Sequence, residues 1–195
     1  MSFLVHYDPT ADRPEWRHVV YSSTPLAIIY RLSCFGYSIV GALLIIYAEP
    51  LSHCDAGFWW SVLGAALLLQ GVASYMNDVV SWGRPSVWKS IDPKMASTLF
   101  LLAGPLLGVR SAMGLFSTPS SSSTIRIWLT GCAFSFLCKC MGARASWRGR
   151  GGGLDSSCEE LMGWHVGWHG LPVFAVFCIL DLAYGFTWTL PVVEA

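Results

Sequence analysis

Apolar residues gather into five long runs separated by short polar stretches, covering about 25–48, 57–82, 93–116, 125–142 and 161–188. A helix needs about 20 mainly apolar residues to cross a bilayer, and the fourth run is the shortest of the five. None of the runs shows the period-two alternation of barrel strands, and backbone polar groups cannot go unpaired in hydrocarbon, so each run predicts a helix. The expected fold is therefore all-α: a single polytopic transmembrane domain of about five helices, with residues 1–24 as an N-terminal segment. Within that segment, residues 14–21 have the pattern of a short amphipathic entry helix lying on the membrane surface. Stretches 117–123 (Ser/Pro/Thr) and 147–157 (Gly-rich, basic) read as connectors.

Composition supports lipid as the solvent. Of 195 residues, 54% are hydrophobic and only 12% charged, where a soluble domain carries roughly a quarter charged residues. The formal net charge of zero points to no nucleic acid or acidic partner. No basic stretch precedes an early apolar run of the kind that marks a signal peptide, so the first span is expected to direct insertion.

The basic residues orient the spans. Arg13, Arg17 and Arg31 lie before or early in the first run, Arg84, Lys89 and Lys94 between the second and third, and Lys139, Arg144, Arg148 and Arg150 after the fourth. Only Arg110 and Arg126 fall toward the other side, so ten of the twelve basic residues agree on N-terminus in and C-terminus out. Trp82, Trp88, Trp147 and Trp164 then fall near the inner boundary, where aromatic belts lie. The pattern suits a multi-pass protein of the endomembranes (ER or Golgi) or the plasma membrane, alone or within a larger oligomer or complex.

Seven cysteines form no disulfide framework. Most lie in or beside apolar runs, where a thiol acts as a small hydrophobe. Cys138 and Cys140 at the end of the fourth run fit either ordinary helix-end packing or reversible palmitoylation.

Ionisable groups inside spans are costly and usually functional. Ser74 and Asp78, four residues apart, share a face at the inner end of the second run. Asp92 opens the third, and His165 and His169, again four apart, stand on one face early in the last. Orientation by Arg and Lys alone thus brings polar groups from three helices to one depth. Two imidazoles at this spacing can share a metal ion, with Asp78 as a third ligand and a fourth position left for water. Asp92 is then placed as a base, and Ser74 as a donor to a developing oxyanion. Plainer roles exist for each: Asp92 before Pro93 is an ordinary helix N-cap, and interfacial histidines can anchor a helix at headgroups. Deeper in the membrane, Arg110 and Asp181 are expected to pair across the third and fifth helices.

Ser-Tyr-Met-Asn-Asp at 74–78, Asp92, and His-x-x-x-His at 165–169 resemble the CREST superfamily. That group includes alkaline ceramidases, the progestin and adiponectin receptors, and lipid-remodelling enzymes of glycolipid anchors. Its signature is Ser-x-x-x-His on the second core helix, Asp on the third and His-x-x-x-His on the last. The resemblance implies zinc-dependent hydrolysis of a membrane lipid amide or ester, with His165 and His169 on zinc. Asp78 stands where the family has its third histidine, which widens the metals to Fe or Mn, and five helices replace the family's seven. Two other classes remain open: a non-catalytic membrane subunit whose polar cluster staples helices, and a pigment- or haem-binding subunit.

Overall fold

A computed structural model describes residues 13–47, 57–99, 121–148 and 155–184. Every regular element among them is helical: α1 (Arg17–Val20), α2 (Pro25–Ser33), α3 (Gly36–Ile46), α4 (Gly57–Tyr75), α5 (88–99), α6 (Ser121–Arg148), α7 (Asp155–Trp168) and α8 (Leu171–Tyr184). The all-α expectation holds. Among the described residues, 60–80 form the single helix long and apolar enough to cross a membrane, and α2 and α3 meet the same criterion together as a pair bent by 41°. Most of the third run, including Arg110, and the side chain of Asp181 lie outside the described residues, and so does their expected pairing.

Two expected spans are broken. The first divides at Cys34–Phe35 into α2 and α3; the hydroxyl of Ser33 and the thiol of Cys34 both donate to the Tyr30 carbonyl, at 2.7 and 3.8 Å. The last divides at His169–Gly170 into α7 and α8. Pro172 has no N–H to donate to the Trp168 carbonyl, and its ring crowds that carbonyl, so α7 cannot run on unbroken into α8. The two breaks adjoin, since a Cβ on Gly36 would lie 3.5 Å from Pro172 Cβ and 3.7 Å from the His169 carbonyl oxygen. α6 outruns the expected fourth span at both ends, and its Arg148 pairs with Glu160 of α7.

Packing follows from small residues and apolar stripes. A Cβ on Gly41 would stand 2.4 Å from the Gly64 carbonyl oxygen, and one on Gly64 2.7 Å from that of Gly41, so α3 and α4 touch backbone to backbone. Val40, Leu44 and Trp60 bury there, with Ala175 and Val176 of α8 against them. Trp128, Leu171 and Cys178 join α6 to α8.

The segment before α2 packs its apolar side on the protein and leaves Pro14, Glu15, His18 and Tyr21 exposed. Trp16 and Val20, both 0% exposed, insert among Tyr30, Val79, Trp82, Cys158 and Met162. Amphipathicity is satisfied by the protein itself. Trp82 Nε1 donates to the Arg13 carbonyl at 3.0 Å and ties this segment to the end of α4. Cys138 and Cys140, expected at a helix end, lie well inside α6, Cys138 buried and Cys140 exposed.

Candidate metal centre

Three departures from regular helix meet at one level: the α2–α3 break, the α7–α8 break, and a π-turn over Met76–Val80 that continues α4. A π-turn shifts the hydrogen-bond ladder by one residue, as in the Ser81 N–H bond to the Met76 carbonyl at 2.9 Å, and such turns recur at functional sites. Tyr30 and Tyr21 donate their hydroxyls to the carbonyls of Asp78 and Val79 at 3.2 and 2.7 Å. The backbone around Asp78 is thus pinned from two sides.

The five residues singled out in the sequence come together. His165 Nε2 lies 2.9 Å from Asp78 Oδ2, and His169 Nε2 lies 3.7 Å from the same oxygen. The two imidazole rings are 4.4 Å apart, centroid to centroid. Ser74 Oγ is 3.1 Å from Asp78 Oδ2 and 3.3 Å from His169 Nε2. Asp92 joins through Asn77, whose Nδ2 donates to Asp92 Oδ2 and Asp78 Oδ1, both at 2.9 Å. Gln70 Nε2 donates to Asp92 Oδ1 at 2.6 Å. Asp92 is not the N-cap expected from Pro93, because α5 already begins at residue 88; both of its oxygens are instead bound by side chains of the α4 region.

Sequence reasoning missed Cys34. Its thiol, an Asp78 oxygen and a His169 ring nitrogen all lie within 4.8 Å of one another, and all three residues are buried, so this group can hold a metal ion; the expected ligand His165 is not part of it and meets Asp78 at 2.9 Å from one side. The donor set fits, since carboxylate, imidazole and thiolate are all zinc ligands. Ser33 was missed too; its Oγ stands 2.9 Å from His169 Nδ1. Tyr30 and Tyr37 wall the two imidazoles, with ring centroids 5.3 Å from His165 and 5.6 Å from His169 respectively.

No family model, curated protein or solved structure matches the chain at a significant level.

Proposed function

We propose that this chain is an integral membrane metal-dependent hydrolase that acts on a lipid amide or ester. The carrying observation is the meeting of buried Cys34, Asp78 and His169 with half-buried His165, flanked by Ser74 and Asp92, in a chain whose described helices expose apolar side chains. Leu32, Ile46 and Leu69 are 62, 67 and 65% exposed, while Gln70, Ser74, Asn77, Asp78 and His169 are buried. Apolar outside and polar inside suits a multi-pass bundle in lipid better than a protein in water. The basic residues orient it with the N-terminus in and the C-terminus out.

Hydrolysis needs an open coordination position. The reading therefore assigns a zinc ion, or Fe or Mn, to Asp78, His165 and His169, and leaves Cys34 as a thiol on the Tyr30 carbonyl. When bound, the ion would supply a nucleophile from water at neutral pH and polarise the substrate carbonyl. Asp92, fixed by Gln70 and Asn77, would accept the proton of the attacking water. Ser74 would turn its hydroxyl toward the developing oxyanion. Tyr30 and Tyr37 would exclude bulk water from the imidazoles. The acyl chain would enter from the bilayer.

A second reading has its own support. Side chains from α2, from α4 with its π-turn, from α5 and from α7 bond one another within this cluster, as a helix staple requires. In a non-catalytic subunit Cys34 could join as a fourth donor and close the site. Cys34→Ala separates the two. The hydrolase reading expects metal content and turnover of a short-chain lipid amide or ester to survive; loss of metal in this variant favours the closed, structural site.

A further inference from the structure

Asp78 divides its two oxygens. Oδ2 faces Ser74, His165 and His169, at 3.1, 2.9 and 3.7 Å, whereas Oδ1 accepts from Asn77 Nδ2 at 2.9 Å. An amide NH2 has two hydrogens, and the second goes to Asp92 Oδ2 at 2.9 Å. One nitrogen thus bonds two carboxylates, and Gln70 occupies the remaining oxygen of Asp92.

The orientation of these carboxamides is costly. Asn77 and Gln70 are 2 and 1% exposed, and their oxygens, Oδ1 and Oε1, have no hydrogen-bond partner among the described residues. A buried carbonyl left so costs about 1–3 kcal/mol. Turning either amide over would set its oxygen against a carboxylate and leave its NH2 unpaired instead. Charge-assisted bonds to the carboxylates hold the amides where they are.

We propose that Asn77 is a positioning residue that restricts Asp78 to one-oxygen metal binding and ties Asp92 to it at fixed spacing. The proposal rests on the metal reading above. With Oδ1 occupied, only Oδ2 reaches the cluster, so a coordination position stays open. Asn77 stands on the π-turn beside Asp78, which lets one short side chain touch both carboxylates.

Co(II) provides the test, because its visible absorption weakens as its coordination number rises. Full-length wild-type protein in detergent should bind Co(II) with intense four-coordinate bands. Asn77→Leu, similar in size and without donors, should free Oδ1, weaken those bands and lower Co(II) affinity about 10–100-fold, the usual effect of removing an outer-shell partner. Gln70→Leu, which touches Asp92 alone, should keep the wild-type spectrum while kcat falls. Should Asn77→Leu fail to fold, Asn77→Ser is read by the same two measures and should shift both in the same direction. Wild-type bands and affinity in the folded variant overturn the role of Asn77. Failure of the wild-type protein to bind Co(II) instead defeats the metal reading itself.

Discussion

Ser33 fixes which nitrogen of His169 carries the proton. Its hydroxyl is already committed to the Tyr30 carbonyl at 2.7 Å, so toward His169 Nδ1, 2.9 Å away, the serine oxygen can only accept. With the hydrogen on Nδ1, a neutral ring turns the Nε2 lone pair toward Asp78 Oδ2, 3.7 Å away, as a ligand nitrogen facing a ligand oxygen would stand. Metal-bound histidines are commonly oriented in this way, and losing such a partner costs about 10–100-fold in affinity. Ser33→Ala should lower metal affinity by that factor without unfolding the protein, as read by competition with a chelating dye. Unchanged affinity would show that the ring is held by its packing alone.

Tyr30 makes a parallel case on the backbone. Its hydroxyl donates to the Asp78 carbonyl at 3.2 Å, inside the π-turn. Tyr30→Phe leaves that carbonyl without its donor and should destabilise the protein by about 1–3 kcal/mol. Thermal unfolding in detergent measures it, and an unchanged midpoint would mean that the π-turn supports itself.

Two glycines should respond in opposite senses. A Cβ on Gly41 collides with backbone at Gly64, whereas a Cβ on Gly163 meets nothing within 4 Å. Gly41→Leu should push α3 from α4 and cost at least about 1–3 kcal/mol. Gly163→Ala, in the helical interior of α7, should stabilise by about 0.5–1 kcal/mol. Equal melting shifts in the two variants would contradict the backbone contact between α3 and α4.

Away from the cluster, His18 gives a pH signature. Nδ1 donates to the Glu15 carbonyl at 2.7 Å, and Nε2 lies 3.3 Å from Asp155 Oδ2. Both nitrogens can donate only in the charged form. The Asp155 hydrogen bond, and then that to Glu15, raise the His18 pKa above its ordinary value. A histidine with a raised folded-state pKa adds stability below its unfolded pKa, and that contribution is lost as pH rises through the folded value. The contact between this segment and α7 should therefore loosen on passing from acid to mildly alkaline pH. An NMR titration should show a raised midpoint that falls in Asp155→Asn; a midpoint indifferent to that change would remove the pair.

Much of the cluster could be read from spacing. Ser74 with Asp78 and His165 with His169 are four residues apart, and helical geometry alone puts each pair on one face. Cys34 escaped because its role depends on a break inside an apolar run, where a thiol looks like any other small hydrophobe. Asn77 escaped because its effect lies in contacts with Asp92, 15 residues away. The break in the last run had a written signal, Gly170 followed by Pro172, but the length of the apolar stretch outweighed it. Helix type was legible; where the helices bend was not, because bending is settled by which side chains capture the freed carbonyls.

Metal content of the purified full-length protein tests the central claim most directly. The wild-type chain should carry about one equivalent of zinc, iron or manganese, as expected for a single site, and a chelator should abolish hydrolysis of the lipid amide or ester. His165→Ala and His169→Ala should each lose the metal, while Asp92→Asn should keep it and lose turnover. A full equivalent of metal retained in His169→Ala, or a metal-free wild-type protein that cannot be loaded, would contradict the account.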